Sequence, residues 1–169
     1  VLVTKFIEEV QAPATMTLMG LGVLAASNKY SLGMLGMHGT YEANMAMHDC
    51  DVMINIGARF DDRVTGRLDA FSPNSKKIHI DIDASNVNKT IKIDVPIIGD
   101  IESVMTQIFD AWEKNNYSSQ KEELSKWWKQ INKWKEVECL NYHQGKETIK
   151  PQHAIKRLYE LTKDRKTFI

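Results

Sequence analysis

The chain has little cysteine, little proline, no surplus of either charge and no long apolar run. Its two cysteines, Cys50 and Cys139, lie far apart without metal-type or redox-type spacing, so both read as ordinary structural thiols of a reducing compartment. The 22 basic and 22 acidic side chains give a formal net charge of +0, which removes the one-signed field that nucleic-acid and membrane-surface binders use. No stretch reaches the roughly 18 uninterrupted apolar residues of a membrane span, and no signal segment opens the chain. The expected location is the cytoplasm, or an organelle if the source is eukaryotic. Gly-x-Gly-x-x-Gly and P-loop patterns are both missing. His48, His143 and His153 have no acidic or cysteine partners at ligand spacing, so no metal site is expected.

What is present centres on residues 32–63, LGMLGMHGTYEANMAMHDCDVMINIGARFDDR. Leu35 to Thr40 forms a glycine turn whose missing Cβ atoms allow close backbone approach. Tyr41 to Cys50 reads as a helix, with Ala43, Met47 and Cys50 on one face. Val52, Met53, Ile54 and Ile56, with an Asn between them, suit a strand covered on both faces of a parallel sheet. Arg59, Asp61, Asp62 and Arg63 then crowd the strand end. They are either ligand-facing or a solvated loop whose charges pair with one another.

Around this run, Val1 to Val10 predicts an amphipathic helix with Val3, Phe6, Ile7 and Val10 inward. Ala14 to Leu18 is a strand entering the Met19-Gly20-Leu21-Gly22 turn, and Leu32 to Leu35 is another strand. Lys77 to Asp83 and Ile93 to Ile98 follow as strands, the latter placed at an edge by Pro96. Asp100 caps a helix carrying Val104, Ile108, Phe109 and Trp112 inward. Strands alternating with helices predict an α/β fold, a three-layer α/β/α arrangement about a central parallel sheet. Ligands of such sheets lie outside the carboxyl ends of the strands, where Gly, Arg, Asp, His and Met collect here. Glycine and arginine suit a pyrophosphate and a closing acid suits ribose, so the spacing predicts a nucleotide-containing ligand.

The segment from Tyr117 to Leu140 differs in kind. It carries three tryptophans among lysines, and Leu124, Trp127, Ile131 and Trp134 recur at helical spacing. The interleaved Glu122, Glu123, Glu136 and Glu138 favour a Trp face packed on protein over one stacked on single-stranded nucleic acid. Gln144 to Lys150 reads as a polar linker, with a last helix starting at Pro151. No initiator Met or cap precedes the first helix, and Lys166 to Ile169 starts like a strand and stops. The expectation is a piece of a longer chain.

The strings TLMGLG, LGMLGMHGTYEANMAMHDCDV, GARFDDRVTGRL, IHIDID and IIGD resemble the central domain of acetohydroxyacid synthase (acetolactate synthase) large subunits, and QHAIKRLYELT resembles the helix leading into that family's third domain. LGMHGT followed by RFDDRVTG separates this resemblance from pyruvate oxidases and benzoylformate decarboxylases. The resemblance implies a parent that condenses pyruvate with pyruvate or 2-ketobutyrate, losing CO2, on the way to branched-chain amino acids. Thiamine diphosphate and magnesium would sit in other domains, and no catalytic residue would lie in this piece, which alone should be inactive.

The same resemblance implies FAD in this domain, structural and without net redox work. Its matching positions are Thr17, Leu18 and Met19 after one strand, and Leu35, Gly36, Met37 and His38 after the next. Gly57, Arg59, Asp61, Arg63 and Val64 match further on, then Asp81 and Ile82, and finally Asp100 and Ile101. Met37, His38, Asp62 and Arg63 match the substrate channel, with Arg63 steering a 2-ketoacid carboxylate. From the residues alone, His38 reads more readily as a turn histidine than as a ligand, and His79 as a packed or half-exposed strand residue. Asp61 and Asp62, being adjacent, do not make an acid/base pair.

The implied division is residues 1–115 as the FAD domain lacking its first strand, 116–150 as amphipathic helix and linker, and 151–169 as the approach to the third domain. Implied partners are the other domains, a homodimer or tetramer, and a small regulatory subunit, with no nucleic acid or membrane. Alternatives are the middle domain of a related thiamine-diphosphate oxidase or decarboxylase, or a stand-alone nucleotide-binding module.

Overall fold

The computed structural model describes residues 2–165, so Val1 and the strand-like run at 166–169 lie outside the described residues. The described chain divides after Val137 into two units.

In the first unit, α1 (Leu2–Val10) turns Leu2, Val3 and Phe6 to one apolar cluster and Ile7 to another. Two parallel sheets follow. β1 (Ala14–Met16) pairs with β2 (Ser31–Met34), with an irregularity between Ala14↔Ser31 and Met16↔Met34. β3 (Val52–Ile56), β4 (Lys76–Asp81) and β5 (Val95–Ile98) form the other in that order, in register from Val52↔Lys76 to Ile56↔Ile80 and from Ile78↔Val95 to Asp81↔Ile98. The α/β fold with parallel strands is thus the one the alternation predicts. Pro96 stands on edge strand β5, where its missing N–H interrupts no ladder.

One expectation is corrected. β3 is not covered on both faces, because Val52 and Ile54 are 48% and 42% exposed. Strand alternation turns Met53 toward the cluster of Phe60 and Phe71, and Val52, Ile54 and Ile56 the other way. On that second face only Ile56 joins Ile80, Ile97, Val104 and Met105, so the helix cover reaches one end of the strand. The run of apolar residues gave no sign of where the cover stops.

Helix α2 (Tyr41–Asp49) begins at Thr40, whose Oγ1 accepts the Ala43 N–H at 3.2 Å and donates to the Leu32 carbonyl at 2.7 Å. A four-residue α3 (Asp62–Thr65) follows β3. Asp100 caps α4 (Ile101–Lys114) by accepting the Ser103 N–H at 3.1 Å. Val104, Met105 and Phe109 of α4 are buried, and Phe6 meets Phe109 edge-on at 6.1 Å. Helix α5 (Lys121–Lys135) buries Ile131 and Trp134 against Leu32, Ala43 and Ala46, with Trp127 edge-on to Trp134 at 5.5 Å. Trp128 Nε1 donates to the Gln11 carbonyl at 2.9 Å. The Trp face therefore packs on its own domain, and the compact unit runs past residue 115 to Val137.

In the second unit, α6 (Pro151–Thr162) starts at its proline as expected. Gln144 donates to the Thr148 carbonyl at 2.5 Å and accepts the Lys150 N–H at 3.0 Å, closing the polar segment into a loop.

A pH dependence follows from the start of β4. Asp94 accepts the Lys77 backbone N–H at 2.9 Å, which holds its carboxyl below the usual carboxylate range. A depressed folded-state pKa contributes stability above the unfolded value, and that contribution is lost as the pH falls through the folded one. Asp94→Asn should therefore lower the denaturation midpoint at pH 7, with the difference from wild type shrinking below roughly pH 4.

Candidate functional site

The carboxyl ends of the strands make one rim. The Leu35 N–H reaches the Met16 carbonyl at 3.3 Å, so the ends of β1 and β2 are neighbours. Gly57 N–H donates to the Ile80 carbonyl at 2.8 Å and Gly99 N–H to the Asp81 carbonyl at 3.0 Å, which sets the ends of β3, β4 and β5 side by side. The two groups meet at one point, where Met37 N–H donates to the Arg63 carbonyl at 2.8 Å. Gly36 permits that approach: a Cβ there would stand 2.4 Å from the Arg63 carbonyl oxygen, and its φ is +88°.

Asn44, a residue the pattern of the sequence did not single out, fixes the turn. From α2 its Oδ1 accepts the Gly36 N–H at 2.8 Å and its Nδ2 donates to the Gly36 carbonyl at 2.9 Å. Asn44→Ala removes both bonds and should lower stability by about 2 kcal/mol, at about 1 kcal/mol per bond. Urea unfolding of the gene-encoded protein measures this.

Of the five groups of residues expected at the strand ends, three line the stretch around the Met37–Arg63 contact and the turn after β1. Thr17, whose Oγ1 accepts the Gly20 N–H at 3.2 Å, shapes a single turn that leaves Leu18 and Met19 69% and 93% exposed. Leu35 and Gly36 are inside the turn, while Met37 and His38 project from it, with Arg63 Nη1 3.5 Å from Met37 Sδ. Arg59 and Asp61 are exposed and pair at 3.2 Å, and Asp62 accepts the Arg63 N–H at 2.9 Å. The loop-pairing alternative thus describes Arg59 with Asp61, whereas Arg63 turns to Met37. Val64 is half-buried against the Phe60 cluster.

The acid ending β4 is placed differently from a free acceptor. Asp81 is buried, and its carboxylate accepts the Asp83 N–H at 2.8 Å and Asn86 Nδ2 at 3.2 Å. Its side chain is turned into the domain, and Ile82 beside it is exposed. Asp100 caps α4, and Ile101 lies beneath Gly57, where a Cβ would come 2.6 Å from Ile101 Cδ1. Cys50 is drawn into the interior near Ser72, and burial pushes its thiol above the ordinary range, away from nucleophilic use.

The strand ends therefore carry two exposed arginines, Arg59 paired with Asp61 and Arg63 against Met37, groups able to take oxyanions in forked geometry, and exposed apolar side chains at Leu18, Met19 and Met37. A planar apolar ring joined to a diphosphate fits this donor set.

The family described as "Thiamine pyrophosphate enzyme, central domain" matches residues 2–108. The chain is 44% identical over 157 residues to the acetolactate synthase isozyme 3 large subunit of Escherichia coli, covering 93% of this chain and 27% of that protein. It is 42% identical to the acetolactate synthase large subunit of Haemophilus influenzae, covering 94% of this chain and 28% of that one. The acetolactate synthase large subunit of Porphyra purpurea is 38% identical across 96% of this chain and 28% of its own length. The chain thus spans about a quarter of the length of the curated relatives it matches.

Proposed function

Because the chain belongs to the thiamine pyrophosphate enzyme central-domain family, we propose that it is the FAD-holding middle section of an acetolactate synthase catalytic subunit. The observation that carries this reading is 44% identity to an acetolactate synthase large subunit across 93% of the chain. The parent decarboxylates pyruvate and joins the remaining two-carbon unit to a second pyruvate or to 2-ketobutyrate. Thiamine diphosphate with Mg2+, bound by other domains of the parent, supplies the carbonyl-inverting chemistry.

Within this section, Arg59 and Arg63 hold the flavin diphosphate electrostatically, and Leu18, Met19 and Met37 offer apolar surface to the ring. Thr17, Leu35, Gly36, Gly57, Asp61, Val64, Asp81, Ile82, Asp100 and Ile101 shape the strand ends around it. The exposure of the arginines and of the apolar fringe supports this assignment. Arg63 also steers the 2-ketoacid carboxylate, with Met37, His38 and Asp62 beside it. The flavin performs no net redox step.

Residues 2–115 carry the strands of the domain, with α5 packed on them. Residues 116–150 follow as helix and loop, and 151–169 lead toward the thiamine-binding domain. The parent works in the cytoplasm, or in an organelle of a eukaryote, as a homodimer or tetramer with a small regulatory subunit.

The test is product formation. The gene-encoded protein, supplied with FAD, thiamine diphosphate and Mg2+, should convert pyruvate to acetolactate and pyruvate plus 2-ketobutyrate to the mixed product, without coupled oxygen consumption. Stoichiometric oxygen uptake or release of free acetaldehyde alone would replace this reading with an oxidase or a decarboxylase. Residues 1–169 alone should form no acetolactate.

A further inference from the structure

A polar pair inside the β3–β4 ladder is left without a task by the function above. Asn55 and His79 are direct cross-strand partners, standing among apolar neighbours where valine or isoleucine would pack better. Both side chains aim at one atom. Asn55 Nδ2 donates to the Ala58 carbonyl at 2.7 Å, and His79 Nε2 lies 3.1 Å from the same oxygen. A carbonyl has no proton to give, so Nε2 is the protonated ring nitrogen in that contact. The imidazole is fully buried, edge-on to Phe60 at 5.2 Å and 3.5 Å from Asp81 Oδ2, while its Nδ1 has no hydrogen-bond partner. Leaving a buried nitrogen unsatisfied costs stability, so the ring's placement is not explained by packing alone.

The consequence lies on the other side of the same peptide. The chain turns at Gly57, with φ +64°, and then the Ala58 carbonyl is drawn inward by two donors. In a planar trans peptide the next N–H points opposite to the carbonyl, so the Arg59 N–H is directed away from the interior, on the residue whose side chain is 66% exposed. The Arg59 guanidinium pairs with Asp61 at 3.2 Å; released from that surface pair, it and the N–H of the same residue can form a two-part oxyanion receptor.

The structure assigns Asn55 and His79 as positioning residues that lock the Ala58–Arg59 peptide, so that the Arg59 N–H, together with its guanidinium, receives a diphosphate oxygen of the bound dinucleotide. This rests on the reading of the strand-end rim as the FAD site. Neither side chain touches the ligand; both act through the Ala58 carbonyl.

The test uses the gene-encoded protein, with FAD affinity from flavin fluorescence and hydrogen exchange of the Arg59 amide as separate readouts. In wild type, FAD should slow exchange at the Arg59 amide by tenfold or more. Asn55→Asp, which sets an acceptor against the carbonyl, and His79→Phe should each raise the FAD Kd by about tenfold and alter the flavin visible circular dichroism. His79→Gln, which keeps a donor at the Nε2 position, should stay within about twofold of wild type. Wild type that binds FAD with no change at the Arg59 amide overturns the assignment while leaving the FAD site standing, and this arm needs no variant to fold. Equal FAD binding by His79→Phe and His79→Gln likewise overturns the assignment and spares the site. Wild type that binds no FAD overturns both.

Discussion

Gly36→Ala should lower the unfolding free energy by about 4 kcal/mol, combining about 1–3 kcal/mol of backbone strain with a similar cost of overpacking. The added methyl would meet the Arg63 carbonyl oxygen at 2.4 Å and the Val64 Cα at 3.1 Å, and a φ of +88° is one that L-residues rarely adopt. Relief requires the 35–39 turn to withdraw from α3, which breaks the Met37 N–H to Arg63 carbonyl bond. That bond joins the ends of the two sheets, so the substitution should remove FAD binding together with stability. Gly145 is the control: a Cβ there meets nothing within 4 Å, and Gly145→Ala should stay within about 0.5 kcal/mol of wild type. Urea unfolding of the gene-encoded protein decides. A loss under about 1 kcal/mol for Gly36→Ala, below the usual cost of strain at such a φ, would mean that the turn does not rest on Arg63.

Trp134→Ala should cost about 3–5 kcal/mol, the usual range for truncating a buried aromatic. Trp134 is buried with Ile131 against Leu32, Ala43 and Ala46, and its ring takes the edge of Trp127 at 5.5 Å. Removing the indole opens a cavity between α5 and α2 that Ala43 and Ala46, being small, cannot fill. The unfolding midpoint in urea should fall with an unchanged slope. A loss below about 1 kcal/mol, far under the range for a buried aromatic, would detach α5 from the domain core and return the Trp face to the role of an outside surface.

Much of the architecture was legible because it depends on local rules. Apolar runs closed by glycine gave the strands, Asp100 gave the start of α4, and the i, i+3, i+4 stripe of Ile131 and Trp134 gave the buried face of α5. The exposure of Val52 and Ile54 was not legible, since an apolar strand reads the same whether or not a helix covers it. His79 is packed inside its strand as expected, but the bonds made by Asn44, Asn55 and His79 escaped for another reason. Their partners are backbone groups of Gly36 and Ala58, and backbone groups leave no mark in a sequence. The one available signal was an asparagine set inside an apolar strand. Asp81 illustrates the converse: an acid at a strand end suggests a ligand acceptor, yet its oxygens are taken by Asp83 and Asn86. Side-chain direction at a turn is decided by contacts a few residues away in space, and chain position alone does not supply it.

Whether the strand-end rim is a flavin site is tested most directly by an equilibrium titration of FAD into the gene-encoded protein, followed by flavin fluorescence, with Arg59→Ala and Arg63→Ala beside it. Saturable binding, weakened tenfold or more in each variant, is the predicted result. A folded protein that takes up no FAD, or one that binds it equally well without either guanidinium, would contradict the assignment of the rim.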